Sequence, residues 1–261
     1  MQVSPEVPPR PRRGFRLDAS HVTLVGVLGA ATALLATVPG LGFVPAPTPA
    51  GAATTLHVPA ILAGIARGPL AGALVGAVFG FFSFTRATLP FFKHPLIAFG
   101  PRILIGVVAY YTFALLGQRA SRAVAAVAVG AAAYAALGPG AAAFEAAYAS
   151  GEVSRNALAN AYHAVAAAAL ARPWLAPLAA ALVAGTAWAV LRGEAAPVAA
   201  AAVAGSLTNT VGVLALIVAL FDLPPGAAVL VGVTHGLPEA VLAVLVVVPT
   251  VRALRAAGLA G

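Results

Sequence analysis

Between His21 and Val251 the chain passes through one long apolar run after another, broken only by short polar or Pro/Gly-rich stretches. A helix needs about 20 mostly apolar residues to cross the hydrocarbon core of a bilayer, and lipid leaves no partner for unpaired backbone groups, so each run reads as a helix. Only 8% of the residues are charged, where soluble domains carry roughly 25%, and the mean hydropathy is +0.98. Too little polar surface remains to keep such a body dissolved in water. The fold class that follows is all-α, a polytopic membrane helical bundle of about eight spans.

The runs divide the chain into four parts. Residues 1–20 form a basic, proline-rich tail with Arg10, Arg12, Arg13 and Arg16, and 21–122 hold four spans. The second of these, from about Thr54 to Ala66, is short for a crossing: it either begins in the preceding loop or is a partial span whose end lines a cavity. Arg67, Gly68 and Pro69 turn it tightly into the third. Pro39 to Ala53 is too rich in Pro and Gly for a helix and reads as a loop able to act as a lid. Residues 123–195 carry two weaker spans, about Ala123 to Leu137 and Pro173 to Leu191, with a surface-lying helical stretch between them that contains Glu145, Glu152, Arg155 and His163. Residues 196–261 hold the last two spans and a short tail.

Basic residues set the orientation, because cytoplasmic loops near the spans carry an excess of Lys and Arg. With the N-terminus in the cytoplasm and eight spans, the cytoplasmic side holds ten: Arg10, Arg12, Arg13, Arg16, Arg67, Arg119, Arg122, Arg192, Arg252 and Arg255. The outer side holds four, Arg86, Lys93, Arg155 and Arg172. A cell-membrane protein with a cytoplasmic N-terminus is the expectation. A cleaved signal peptide is the competing account of the first run, which is longer than a usual signal core. The formal net charge of +8 therefore answers to membrane orientation and not to nucleic acid.

Two charges inside the spans require an explanation. A charged side chain near the bilayer centre costs about 2.5–3.5 kcal/mol on insertion scales, so it is usually paired, faces a cavity, or both. Arg102 lies about 10 Å into the fourth span and Glu239 about 16 Å into the last from the same side. They form either a structural salt bridge or a site in which the planar guanidinium receives a substrate carboxylate. His235 precedes Glu239 by four residues and shares its helix face, as a polar cavity residue or, with less support, a metal or proton-relay partner. Thr208 and Asn209 belong to a polar cluster, Gly205 to Thr210, which either hydrogen-bonds between helices or lines a pocket. His57 and Arg86 approach the same outer face as further candidates.

No GxSxG elbow, HExxH helix, Walker loop or acidic cluster for magnesium occurs. With no cysteine, thiolate metal sites and cysteine nucleophiles are excluded. The residues predict no enzyme, cofactor or metal, and ATP-driven transport would need a separate nucleotide-binding subunit.

The runs LHVPAILAGIARGPLAGALVGAVFGFFSFTRA, HPLIAFGPRILIGVVAYYTF and GSLTNTVGVLALIVALF resemble the substrate-binding S component of energy-coupling factor (ECF) vitamin transporters. The resemblance covers about Val22 to Leu116 and Ala196 to Arg255, so 123–195 reads as an insertion into a six-helix core. It implies capture of a water-soluble vitamin or related small carboxylate, pantothenate first and folate next, beneath a lid formed by the loop after the first helix. It also implies partnership with a transmembrane coupling subunit and two cytoplasmic ATPases. Small residues at four-residue spacing mark the family's coupling face. A literal AxxxA is missing, but Gly26 with Ala30, and Gly29 with Ala33, have the same steric property. The alternative is an intramembrane enzyme or assembly factor built on His235, Glu239 and Arg102.

Overall fold

The computed structural model describes residues 19–38, 40–45, 52–87, 89–151, 153, 155–221, 228 and 231–258. The tail arginines Arg10, Arg12, Arg13 and Arg16, and residues 46–51 of the expected lid, lie outside the described residues. The helices are α1 (Ala19–Thr37), α2 (Val58–Arg67), α3 (Pro69–Thr85), α4 (Pro95–Leu115) and α5 (Gln118–Leu137). They continue with α6 (Pro139–Ser150), α7 (Ala157–Leu170), α8 (Leu175–Val190), α9 (Ala195–Phe221) and α10 (Leu237–Ala256). A 3-10 turn, Pro90–Lys93, precedes α4, and a π-helical turn, Gly232–Gly236, precedes α10. Proline opens α3, α4 and α6, where its fixed φ suits a first helical turn and its missing N–H costs nothing.

The chain alternates between two ends of the bundle. At one end His21 Nε2 meets the Arg67 carbonyl at 3.0 Å, joining the start of α1 to the end of α2. There too Arg255 pairs with Glu194 at 2.6 Å, tying α10 to the approach to α9, and Arg122 donates to the Trp188 carbonyl, tying α5 to α8. Arg67, Arg119, Arg122, Arg192, Arg252 and Arg255 therefore share this arginine end. The other end gathers the C-terminus of α1, the starts of α2, α4 and α10, and the last turn of α9. Here the expected loop contains an antiparallel strand pair, β1 (Phe43–Pro45) with β2 (Ala52–Thr54), in which Phe43 faces Thr54 and Pro45 faces Ala52. These are the described residues that depart from an all-helical chain.

Among the described residues, four helical stretches are long and apolar enough to cross a membrane: α4, α5 with α6, α9 and α10. A fifth is reached if the α7–α8 pair, bent by 107°, is one span. The expectation was about eight, and α1, α2 and α3 are the shorter apolar helices. Helix α2 resolves the alternatives for the second span, because it has only 10 residues and β2 occupies the residues before it. It is a half-length helix, about 15 Å at 1.5 Å per residue, buried from Val58 to Ala66.

Three backbones meet where α2, α3 and α4 cross. A Cβ at Gly64 would sit 2.2 Å from the Gly106 oxygen, and one at Gly72 2.7 Å from the Gly106 Cα. A Cβ at Gly76 would sit 2.1 Å from the Arg102 oxygen. Glycine is required at these points because main chain lies against main chain. Gly68, with φ +96°, makes the turn between α2 and α3, a conformation that Cβ-bearing residues rarely adopt.

The 123–195 segment has two characters. Helix α5 packs along α8 and also against α9 and α10, placing Ala125 and Ala128 in the main core. Helix α6 prolongs α5 across Gly138 into a 33-residue apolar stretch, about 50 Å long, which outruns a hydrocarbon core of about 30 Å. Helix α7 folds back on α6 around Phe144, Ala141, Ala159 and Ala166, so the stretch expected to lie on the surface is a helical pair that extends from the end of α5. Tyr148 stacks on His163 at 4.4 Å, and His163 meets Glu145 at 2.8 Å.

Candidate functional site

Pro101 sets the position of Arg102. A proline inside a helix cannot donate to the carbonyl four residues earlier, which leaves the Ile97 oxygen without its helical partner. Arg102 Nη1 donates to that oxygen at 2.6 Å, so the proline creates the acceptor that anchors its neighbour. The guanidinium lies between two aromatic faces, 5.4 Å from the Phe79 ring centre and 5.2 Å from Phe92, a favourable cation–π arrangement. Gly212 of α9 makes room for the proline ring, since a Cβ there would meet Pro101 Cβ at 2.9 Å.

Arg102 is 4% exposed and its Nε has no hydrogen-bond partner. No hydrogen bond among the described residues engages Nη2. One edge of the guanidinium, Nε with Nη2, is therefore left open in a buried setting. This edge presents two parallel donors that match the two oxygens of a carboxylate.

Glu239, 6% exposed, sits in the first turn of α10. Its Oε1 accepts the Thr54 backbone N–H at 2.8 Å, pinning β2 to α10. The Thr210 hydroxyl lies within reach of the same carboxylate but makes no hydrogen bond of good geometry. Arg102 and Glu239 interact through space, yet among the described residues no ion pair joins them. Of the two expectations for these charges, the direct salt bridge is not the one the geometry adopts.

Further polar atoms around them lack partners. His57, fully buried in the turn before α2, makes no hydrogen bond of good geometry through either ring nitrogen, although its ring lies within reach of the Glu239 main chain. Asn209 Oδ1, Ser206 Oγ and Thr210 Oγ1 are buried on α9 and unpartnered. Buried polar groups are normally hydrogen-bonded, so each such orphan needs a reason.

The structure thus brings Thr54, His57 and Thr210 to Glu239, with Arg102 in electrostatic range of it, and buries Asn209 on the α9 face that also carries Thr210. Thr208 stands differently, because its hydroxyl donates to the Ala204 carbonyl at 2.7 Å within its own helix. The residues missed beside it are Ser206 and Thr210. Their spacing could have shown it: 206, 209 and 210 fall on one helical face, and 208 does not. Arg86 lies apart from the cluster and donates to the Ala36 carbonyl, fastening the end of α1 to the end of α3. His235 lies in the π-helical turn just before α10; such turns carry one extra residue and occur often at functional sites. No group of metal-ligating residues occurs among the described residues. Phe79, Phe92 and Thr54 also belong to the site, and only the fold places them there.

Of the small residues on α1, Gly29 is buried and Ala33 half-buried, with a Cβ on Gly29 reaching Val78 of α3 at 3.7 Å. Gly26 and Ala30 are exposed, and nothing lies within 4 Å of a Cβ built on Gly26. Of these four positions, Gly26 and Ala30 offer an open surface.

A family model described as ECF transporter, substrate-specific component, matches residues 20–251. The match spans nearly the whole chain, and the chain belongs to that family. It is a membrane-embedded substrate-binding subunit of an ECF-type importer, a transporter component and not a member of an enzyme family. Such components work with a transmembrane coupling subunit and ATPases. Comparison with curated proteins found no match.

Proposed function

We propose that this subunit captures a small water-soluble carboxylate of the vitamin class at the open edge of Arg102. Thr54 and β2 act as part of a cover over the site, and release is driven by a partner coupling subunit with two ATPases. The observation that carries the reading is the unpaired Nε/Nη2 edge of a buried arginine held between Phe79 and Phe92. Pantothenate is the first choice and folate the second. The support for that order is the placement of both tryptophans, Trp174 and Trp188, in or beside α8 with substantial exposure, where neither can grip a large aromatic ring. Asn209, Glu239 and His57 complete the pocket in this reading, with His235, Arg86 and Thr208 at its margins.

The arginine end faces the cytoplasm in the proposed orientation, and the strand-pair end faces outward. Gly26 and Ala30 offer the open strip for the coupling subunit. The test is thermal unfolding of the detergent-purified protein across a panel of water-soluble vitamins, because a ligand that binds only the folded state raises its stability. A selective rise that disappears in Arg102→Gln is the expected result. A folded protein that responds to no carboxylate, or a rise that survives Arg102→Gln, overturns the reading.

A further inference from the structure

The site holds an arginine and a glutamate that no direct ion pair joins, and this constrains the guest beyond its carboxylate. A bound carboxylate alone would answer Arg102 and leave Glu239 as a buried surplus anion facing another anion. Such an arrangement is costly in a low-dielectric setting. Glu239 commits Oε1 to the Thr54 N–H, and among the described residues no hydrogen bond of good geometry engages its Oε2. Asn209 Oδ1 is a buried acceptor without a donor. Both unmet acceptors call for hydrogen on the guest.

The geometry points to a bipolar ligand: a carboxylate that docks on the Nε/Nη2 edge of Arg102 and carries, at its other end, an ammonium, hydroxyl or amide N–H that donates to Glu239 Oε2 and Asn209 Oδ1. This rests on the substrate-capture reading above and narrows it. Plain carboxylates, and carboxylates whose far end only accepts hydrogen bonds, are disfavoured. Selectivity then resides in Glu239 and Asn209, and the anchoring of every carboxylate resides in Arg102. The division follows from how hydrogen bonds fail, since a buried acceptor left unmet costs more than the mean worth of the bond.

The experiment uses matched probes differing only in the donor: 5-aminovalerate against valerate, and pantoate against 3,3-dimethylbutyrate, titrated by calorimetry into the full-length protein in nanodiscs. The donor-bearing member of at least one pair should bind about tenfold tighter or more, the range expected for a hydrogen bond to a charged group. Glu239→Gln should shrink that ratio severalfold, and Arg102→Gln should abolish binding of both members. If Glu239→Gln fails to fold, Asn209→Leu serves as the second variant. Equal binding within both pairs, or a ratio unchanged in the variants, overturns the bipolar guest while the capture reading stands. If a vitamin binds but no probe does, the variants are applied to that vitamin, and unchanged affinity in Glu239→Gln overturns the inference. Failure of every carboxylate to bind overturns both.

Discussion

Replacing Gly76 with alanine tests whether the seat of Arg102 is built from touching backbones. The new Cβ would fall 2.1 Å from the Arg102 carbonyl oxygen, 2.8 Å from its carbon and 3.1 Å from the Ile103 Cα. A comfortable carbon–oxygen approach is about 3.3 Å, so α3 and α4 must part by about 1 Å along this contact. No side chain can swing away to absorb the overlap. Overpacking of this kind costs about 1–3 kcal/mol, and a contact between main chains belongs at the upper end. Alanine returns up to about 1 kcal/mol through its better helix propensity, leaving a net loss of about 2 kcal/mol. For a chain of this size that corresponds to a fall of about 4 °C or more in unfolding temperature. The matched control is Gly185→Ala on α8, where nothing lies within 4 Å of the added Cβ, and it should be neutral or slightly stabilising. Thermal unfolding of both variants in the same detergent gives the comparison. A Gly76→Ala protein as stable as Gly185→Ala refutes the backbone-contact account. Ligand affinity should fall as well, since the displaced carbonyl belongs to Arg102.

Pro101→Ala restores a backbone donor for the Ile97 oxygen and so competes with Arg102 for its anchor; ligand affinity should drop severalfold with little change in unfolding temperature, measured by calorimetry and thermal unfolding. Residues 139–173 should be dispensable for ligand binding when replaced by a short Gly/Ser linker, because Gly138 already lies close to Ala176, a Cβ on it being 3.9 Å from the Ala176 Cβ; loss of binding in a folded deletion would give the α6–α7 projection a part in the site. Removal of α5 as well should unfold the protein, because its alanines are part of the main core. Tyr162→Phe deletes the hydroxyl that donates to the Ala136 carbonyl at 2.6 Å and should cost about 0.5–1.5 kcal/mol; faster hydrogen exchange confined to 139–170, with ligand affinity unchanged, is the expected signature.

The membrane class and the burial of Arg102 and Glu239 inside the bundle were readable in the sequence, because an ionisable residue inside an apolar run is costly wherever the chain folds. Helix α2 was readable only as too short. Whether it was a full helix with a hidden start or a half-helix depended on the pairing of β2 with β1, a contact between segments seven residues or more apart. The choice between a salt bridge and an open pair was likewise out of reach, since it depends on how α4 and α10 are spaced. The Pro101–Arg102 pair was different: the released Ile97 carbonyl follows from local geometry alone, and the sequence contained that signal unread. Helical periodicity divides the polar cluster from Gly205 to Thr210 into two faces, with Ser206, Asn209 and Thr210 on one and Thr208 on the other.

The crossing of α2, α3 and α4 at Gly64, Gly72 and Gly106 bears on which parts of the protein can change shape. A switch needs an element with two packings of similar energy. Where three main chains touch there are no rotamers to exchange, so that crossing has a single arrangement and carries Arg102 and the start of α2 as one piece. The opposite wall is built from looser parts: a three-residue strand pair attached to Glu239 by one backbone hydrogen bond, and a helical turn wound with a surplus residue. In the proposed capture reading, a guest would meet a fixed wall on one side and a compliant one on the other, and the work of opening and closing would fall on the compliant side.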